Sequence, residues 1–277
     1  MKIMIKVENI SYRYKSKLPI FNGISFEIGN GIYGLLGENG VGKTTLMHLI
    51  CGLLFPQNGK CCIDGKDTAE RHPGLLSSYF FLPEEMKMPT ESIAQFAARH
   101  SVFYPHFSRK EFELNLEELR IDKHRKLSSV SFGQQKKAML AYAFALHTSY
   151  IILDEPTNGL DITSRQALNR MISRSMNDES TLLISTHQAH DFEKLLDHLI
   201  ILGEGEIVLN QSLDEISNRL LFVRTSTLPE ESIYSEEDLS GYFSIIPNTE
   251  EEENTPDIEL LYKSILQQPE KIKKVFH

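Results

Sequence analysis

The stretch Gly37-Glu-Asn-Gly-Val-Gly-Lys-Thr44 matches the pattern G-x-x-x-x-G-K-[ST] at every fixed position. An apolar run at residues 32–36 comes directly before it and predicts a buried strand, whereas residues 44–51 have the apolar spacing of a helix. Glycines allow backbone angles at which successive N–H groups point inward at phosphate oxygens. The following helix directs its positive end at the same phosphates. The sequence therefore predicts a phosphate-binding loop between a strand and a helix.

Several side chains of this loop have the chemistry that a bound nucleotide requires. The Lys43 ammonium can reach the β- and γ-phosphates, and the Thr44 hydroxyl is an oxygen ligand of the kind that Mg²⁺ prefers. The nucleotide-binding residues predicted in and just after the loop are Gly37, Asn39, Gly40, Gly42, Lys43, Thr44 and Thr45.

Two further segments place polar residues at the ends of predicted strands. An apolar strand at residues 150–153 leads to Asp154 and Glu155, and another at residues 181–185 leads to His187. Carboxylates at a strand end are often simply solvated. Beside a phosphate loop, however, Asp154 is suited to bind Mg²⁺ and Glu155 to act as a general base on water. Because such folds bind ligands at the carboxyl ends of their strands, His187 is expected to contact the γ-phosphate.

The segment Val130-Ser-Phe-Gly-Gln134 comes directly before a further predicted helix, at residues 133–146. Serine and glycine at this position are typical of a helix cap, and a helix N-terminus can also bind an anion. Taken alone, the segment is equally consistent with both interpretations.

Together and in this order, these segments resemble the motifs of the nucleotide-binding subunit of ABC transporters. Residues 37–44 resemble Walker A, and residues 131–134 resemble the signature motif, usually Leu-Ser-Gly-Gly-Gln. Asp154 and Glu155 resemble the end of Walker B and the catalytic glutamate, and His187 resembles the switch histidine. P-loop kinases and GTPases share the phosphate loop but have no counterpart of the signature motif.

The resemblance extends from about residue 2 to residue 210 and includes a D-loop at residues 158–161. It implies an α/β fold: a P-loop NTPase (RecA-like) core with an antiparallel β subdomain and a helical subdomain at about residues 88–130. The expected domains are a nucleotide-binding domain at residues 1–210 and a C-terminal extension at residues 211–277.

The resemblance also implies roles for individual residues. Tyr14 is expected to stack on adenine, with the nearby Tyr12 as the alternative. The implied nucleotide contacts from a second copy are Ser131, Gly133 and Gln134. The implied catalytic residues are Glu155 and His187, and the implied metal-binding residues are Thr44, Asp154 and Glu84.

The chain departs from the family pattern at three places. Phe132 stands where the signature motif usually has glycine, with Val130 in place of leucine, which puts a bulky side chain beside the expected nucleotide contact. Glu84 occupies the position of the metal-contacting glutamine, and Glu85 is the alternative for that position. Glu38 replaces a common proline, a harmless change if the backbone alone binds phosphate.

Composition limits the possible partners. The 277 residues carry 29 Lys+Arg and 38 Asp+Glu, a formal net charge of −9. Residues 229–259 alone contain eleven acidic residues and no Lys, Arg or His, so the remainder is nearly neutral and gives no electrostatic reason to expect nucleic acid. The three cysteines, Cys51, Cys61 and Cys62, have no zinc or disulfide spacing, and no segment approaches the roughly 18 apolar residues of a membrane span.

The C-terminal extension has two recognisable parts. The acidic residues 229–259 predict a linker or flexible loop, because like charges repel. A terminal helix is expected next, with apolar residues at 258, 261, 262, 265 and 266 on one face. Such a face could dock on a second copy or on a membrane subunit.

The resemblance implies an ATP-hydrolysing subunit that closes as a head-to-tail dimer around ATP and Mg²⁺ and powers a separate multi-span membrane subunit. The expected location is the cytoplasmic face of the cell membrane. Leu-Pro-Glu at residues 82–84 and the C-terminal extension resemble the bacterial ABC-2-type exporters, and the groove for the membrane subunit is expected at residues 80–107. The alternatives are a soluble ABC ATPase acting on ribosomes or DNA, and a regulatory module that binds ATP without hydrolysis.

Overall fold

The structure, a computed structural model, describes residues 4–15, 18–187, 189–239 and 241–276. The first residues of the predicted nucleotide-binding domain, 1–3, lie outside the described residues. The strands are β1 Ile5–Tyr12, β2 Phe21–Ile28, β3 Gly31–Leu36, β4 Asn58–Ile63, β5 Lys66–Asp67, β6 Tyr79–Leu82, β7 Tyr150–Asp154, β8 Thr181–Ser185, β9 His198–Leu202, β10 Ile207–Ser212, β11 Leu220–Thr225, β12 Tyr234–Asp238 and β13 Gly241–Pro247. The α-helices are α1 Lys43–Ile50, α2 Pro73–Leu76, α3 Ile93–His100, α4 Arg109–Glu118, α5 Phe132–Ala145, α6 Ile162–Ser175, α7 Leu213–Arg219, α8 Ile258–Gln267 and α9 Pro269–Phe276.

The central sheet has the strand order β10-β9-β3-β8-β7-β6. Strand β3 pairs in parallel with β8 and β9, and β7 pairs in parallel with β6 and β8, whereas β10 is antiparallel to β9. Wholly buried strands such as β7 and β8 are typical of a parallel sheet that is covered on both faces. The predicted α/β core is confirmed, and the carboxyl ends of its parallel strands meet at one edge.

Side chains of β3 alternate between the two faces of this sheet. Tyr33 and Leu35 belong to a core shared with α1 and the antiparallel sheet β2-β1-β4-β5. Ile32 and Leu36 belong to a second core, on the face covered by α5 and α6. Burial on both faces stabilises the strand by about 25 cal/mol for each Å² of apolar area, which explains its continuous apolar sequence. The antiparallel sheet is the predicted β subdomain.

The helical region predicted at about residues 88–130 contains α3 and α4, which are separated by a 3₁₀ turn at Ser101–Phe103. A capping box fixes the start of α3. The Ser92 hydroxyl accepts a hydrogen bond from the Gln95 backbone N–H at 3.2 Å, and the Gln95 side chain accepts one from the Ser92 N–H at 3.0 Å. Helix α4 packs against α5, with Phe112 and Leu116 buried in the second core.

The acidic segment 229–259 is not the flexible linker that its charge predicted. Strands β12 and β13 lie within it and pair with β11 in a sheet of order β11-β13-β12. Glu236 lies 3.1 Å from the Lys263 ammonium, and Asp238 lies 3.5 Å from the Arg224 guanidinium. Both cations come from outside the segment, so counting charges along the sequence overestimated the repulsion. Fully buried Ile245 joins this sheet to the second core.

Helix α8 lies where the sequence predicted an apolar terminal helix, but α9 follows it, and the apolar face of α8 does not have the expected role. Ile258, Leu261 and Ile265 are almost fully buried, and they pack into the second core of their own chain. The apolar face is therefore used within the chain, and the idea that it docks on another subunit loses its basis. Leu266 remains 47% exposed at the end of this face.

Candidate functional site

A cavity of about 380 Å³ opens at the carboxyl edge of the central sheet. Strands β3, β6, β7 and β8 all lead into loops that contribute to it, because their parallel alignment brings their ends together. The residues that line it are Asn39, Gly40, Gly42, Lys43, Thr44, Thr45, Glu84, Asp154, Glu155, Asn158 and His187. The structure thus brings together most of the residues predicted from separate motifs.

The phosphate loop has the backbone shape that its glycines predicted. Gly40 has φ +83° and Gly42 has φ +116°, a region that other residues rarely adopt. A Cβ at Gly42 would lie 2.8 Å from a methyl group of Ile20, so the loop also needs glycine for close packing. Gly42 is the N-cap of α1, which places the loop at the positive end of that helix.

Lys43 is buried at the first position of α1. Its ammonium donates hydrogen bonds to the carbonyl oxygens of Gly37 at 2.7 Å and Glu38 at 3.3 Å. Burial lowers the pKa of Lys43, and the carboxylates of Glu155 and Asp154, together with Glu84, act in the opposite direction. The residue supplies a buried positive charge at the base of the cavity.

Asp154 connects the phosphate loop to two strands of the sheet. The Thr44 hydroxyl donates a hydrogen bond to its carboxylate at 2.6 Å. The Ser185 hydroxyl at the end of β8 donates to the other carboxylate oxygen. Register explains this contact, because Asp154 and Ser185 are direct partners on the paired strands β7 and β8. A hydroxyl and a fully buried carboxylate therefore present hard oxygen ligands to the cavity.

The Glu155 carboxylate lies between two basic groups. One oxygen is 3.8 Å from the Lys43 ammonium, and the other is 2.8 Å from Nδ1 of His187. Burial raises the pKa of Glu155, and the neighbouring His187 and Lys43 oppose this increase. His187 is partly exposed beside it, at the rim of the cavity. The group has the reach and the environment of a general base.

Glu84, after the end of β6, lines the cavity, whereas Glu85 is exposed. The Asn158 side-chain amide donates a hydrogen bond to the Glu84 carboxylate at 2.8 Å. Asn158 also lines the cavity. The sequence predicted it only as part of the D-loop segment and assigned it no role of its own.

The aromatic pair at the end of β1 adjoins the cavity. The Tyr14 hydroxyl lies 3.2 Å from the Thr45 hydroxyl, and the ring is 38% exposed. Tyr12 is buried and meets Tyr14 edge to face, with 5.2 Å between ring centroids. Of the two rings, Tyr14 has the exposed surface that stacking on a base requires.

The signature segment lies outside this cavity, at the start of α5. The Ser131 hydroxyl and the Gln134 side chain form a reciprocal capping box, each accepting a backbone hydrogen bond at 3.4 Å. A Cβ on Gly133 would lie 2.5 Å from the Gly159 carbonyl oxygen, so glycine allows close approach to the D-loop. The predicted nucleotide contact by Ser131, Gly133 and Gln134 stays a prediction, because these residues do not meet the phosphate loop of their own chain.

Two negative findings hold for the residues that the structure describes. Among them, no three His, Cys, Asp or Glu side chains are grouped so that they could hold a metal ion. No helix within the described ranges is both long and apolar enough to cross a membrane.

A phosphate loop after β3, an Asp-Glu pair at the end of β7 and a histidine after β8, the strand between them, form the site of a P-loop NTPase. The signature segment at the start of α5 indicates the ABC class. The family model described as ABC transporter matches residues 21–158. A solved structure of an ATP-binding subunit of an ABC transporter is similar with a TM-score of 0.70 and 26% identity, covering 77% of this chain and 91% of that one.

Two relatives agree with this class. An uncharacterized ABC transporter ATP-binding protein of Methanocaldococcus jannaschii is 29% identical over 230 residues, which cover 80% of this chain and 83% of the relative. An ABC transporter ATP-binding protein of Bacillus cereus is 28% identical over 254 residues, which cover 87% of this chain. The chain spans 44% of the length of that second relative. The chain belongs to the family of ABC transporter ATP-binding proteins.

Proposed function

We propose that this chain binds ATP with Mg²⁺, hydrolyses it to ADP and phosphate, and thereby powers an ABC membrane transporter. The observation that carries the proposal is the position of the Glu155 carboxylate. It lies 3.8 Å from the Lys43 ammonium and 2.8 Å from the His187 ring, at the cavity lined by the phosphate loop. A base that activates water must lie beside the phosphate that the water attacks.

The phosphate loop and its neighbours are proposed to hold the nucleotide. Space for phosphate is available above Gly40, where an added Cβ would meet no atom within 4 Å. The loop backbone and the positive end of α1 favour an anion there, and Lys43 adds a full positive charge. Tyr14 offers its exposed ring to adenine, next to Thr45.

The oxygen ligands beside the loop fit Mg²⁺. This ion is usually held by one or two carboxylates together with waters and phosphate oxygens. Asp154 and Thr44 already share a hydrogen bond of 2.6 Å, and Glu84 lines the same cavity. When bound, Mg²⁺ would neutralise charge on the phosphates. Asp154, Thr44 and Glu84 are therefore proposed as its protein ligands.

Glu155 is proposed as the general base, and His187 as the residue that orients it and contacts the γ-phosphate. Because burial raises the pKa of Glu155, its carboxylate has a greater affinity for a proton than an exposed glutamate has. The basic groups of His187 and Lys43 oppose that increase and favour the ionised form, which alone can accept a proton.

The signature segment is proposed to bind the nucleotide of a second ATPase subunit, identical or not. Ser131, Gly133 and Gln134 lie at the N-terminus of a helix of 14 residues, a favourable position for an anion. Their separation from the phosphate loop of the same chain fits a head-to-tail pair in which each nucleotide contacts both copies. ATP would then hold the pair closed until it is hydrolysed.

A separate multi-span membrane subunit is the proposed partner, with this chain at the cytoplasmic face of the cell membrane. The expected groove at residues 80–107 carries Val102 and Phe103, which are 73% and 67% exposed. Neighbouring exposed apolar side chains fit a protein contact. The direction proposed is export, because Leu-Pro-Glu at residues 82–84 and the C-terminal extension resemble the ABC-2-type exporters. Nucleic acid is not an expected partner.

Two experiments test this function. Phosphate release by the purified chain should require both ATP and Mg²⁺, and an absence of turnover in the assembled complex would contradict the proposed hydrolysis.

Purification of the tagged chain from its own membranes should recover a multi-span subunit. A Phe103→Asp variant should lose that subunit and keep ATP binding, with the exposed Leu228→Asp as a control outside the groove. Recovery of ribosomes or DNA in place of a membrane subunit would contradict the transport role.

A further inference from the structure

Lys136 is a buried lysine that the chemistry above does not use. It lies in the second turn of α5, and its exposed fraction is 0%. Its ammonium donates a hydrogen bond of 2.9 Å to the backbone carbonyl oxygen of Glu155. Removing an ammonium from water is costly, so a lysine at such a position has to make a strong compensating interaction.

The Glu155 backbone is held at both of its polar groups. Its φ of +45° falls in the left-handed region, which is uncommon for residues other than glycine. The N–H donates to the Ser185 hydroxyl at 3.0 Å, and the carbonyl accepts from Lys136 at 2.9 Å. A residue in an unfavourable backbone region keeps that conformation only when its surroundings enforce it. The N–H also donates to the Ser185 carbonyl oxygen at 3.2 Å, and the Glu155 carbonyl also accepts from the Asn158 backbone N–H at 3.3 Å. Among the described residues, Lys136 makes the shorter of the two hydrogen bonds to this carbonyl and is the only charged donor to it.

We propose that Lys136 is a positioning residue for Glu155: by holding the carbonyl, it keeps the carboxylate directed between Lys43 and His187. The inference rests on the proposed role of Glu155 as the base. Lys136 contacts the backbone carbonyl of Glu155, whereas Lys43 lies beside its carboxylate, so the two lysines have different roles.

The charge of Lys136 suits this position. Burial lowers its pKa, whereas the carboxylates of Glu84, Asp154 and Glu155 all act to raise it. The ammonium therefore has nearby negative charge to compensate its desolvation. A charged donor also makes a stronger hydrogen bond to a carbonyl oxygen than a neutral one does.

Lys136 also connects the base to the signature segment. Its ammonium lies 5.4 Å from the centroid of the Phe132 ring, within the range of a cation–π interaction. Phe132, where the family usually has glycine, follows the Ser131 cap of the same helix. A movement of this segment on meeting a second subunit would therefore reach the Glu155 carbonyl through Lys136.

The test compares Lys136→Met, which removes the donor, with Lys136→Gln, which keeps a neutral donor. Lys136→Met should leave the ATP dissociation constant within about twofold, because the phosphate loop is untouched, and lower kcat roughly 10- to 100-fold. Lys136→Gln should recover kcat to within about fivefold of the parent. Lys123→Met, at a partly exposed ion pair in the helical region, is the control for loss of a lysine.

Lys136→Met and Lys136→Gln are each combined with Glu155→Gln, and the single and double variants are compared with the parent in thermal unfolding. If Lys136 acts through Glu155, its substitution should lower kcat in the parent but have no further effect on the residual turnover of Glu155→Gln. An equal loss in both backgrounds, or no recovery with glutamine, would overturn the inference. If Lys136→Met does not fold, Lys136→Gln is used instead: its loss of kcat, up to about fivefold, should occur in the parent and be absent in Glu155→Gln, and an equal loss in both would overturn the inference. Parental turnover in Glu155→Gln itself would instead reject the proposed function.

Discussion

The Lys43 ammonium lies 3.8 Å from the Glu155 carboxylate, yet its hydrogen bonds are to the backbone carbonyl oxygens of Gly37 and Glu38. Carbonyl oxygens carry only partial charge, so a phosphate group can compete for the ammonium more readily than it could against a close carboxylate. The loop therefore presents a positive charge that is held in place but still available to a ligand.

Lys43→Ala should weaken ATP binding by at least about 10- to 100-fold, the effect of losing a charge-assisted hydrogen bond. Calorimetric titration with ATP is the measurement. Lys60→Ala is the matched control, because the Lys60 side chain is 55% exposed on β4 and pairs with Glu8, outside the cavity. Equal affinity in the Lys43 variant and the parent would contradict the assignment of the loop.

Residues that follow predicted strands were found from the sequence, because a parallel sheet brings strand ends together whatever lies between them. Asp154, Glu155 and His187 were predicted in this way. Lys136 was not, because its proposed role depends on which side of α5 faces the Glu155 carbonyl. Such a contact depends on how a helix packs, and packing cannot be read from local spacing.

Helices α3 and α5 both begin with a capping box. In each, a serine hydroxyl accepts from the backbone N–H of a glutamine three residues later, and the glutamine side chain accepts from the serine N–H. The sequence alone left two interpretations of Ser131, a helix cap or an anion contact. The structure contains the cap, and a cap does not exclude the contact. The two serines therefore form a natural comparison.

Ser92→Ala and Ser131→Ala should each lower the free energy of unfolding by about 1 kcal/mol, because each loses one N-cap hydrogen bond. Urea unfolding measures that change. Phosphate release should fall only in Ser131→Ala, since Ser92 lies away from every proposed nucleotide contact. If Ser131→Ala loses stability but keeps full turnover in the assembled dimer, Ser131 caps the helix and does not contact the nucleotide.

At the scale of the whole molecule, the fold of the C-terminal extension could not be predicted from the sequence. The eleven acidic residues within 229–259 predicted a linker or flexible loop, because like charges repel. The compensating Arg224 and Lys263 lie on β11 and α8, and only the folded sheet brings them near the acids. Ile245 and Leu261 then join the extension to the core of the nucleotide-binding domain. The central sheet was predictable because its strands are local apolar runs, whereas this long-range pairing was not.

If the extension is part of one cooperative fold, Leu261→Ala should lower the free energy of unfolding by about 2–5 kcal/mol. Leu261 has an exposed fraction of 0%, so the substitution leaves a cavity in the shared core. Leu239→Ala is the control, because Leu239 is fully exposed in the same extension. Equal thermal stability of the two variants would show that the extension contributes little to the fold.

The measurement that tests the central claim most directly is phosphate release by Glu155→Gln, with ATP affinity determined on the same sample. Glutamine preserves the size of the side chain but cannot accept a proton from water. We predict ATP affinity close to that of the parent and a loss of turnover of roughly 100-fold or more. Turnover at the parental rate with unchanged affinity would contradict the account, because the base would then lie elsewhere.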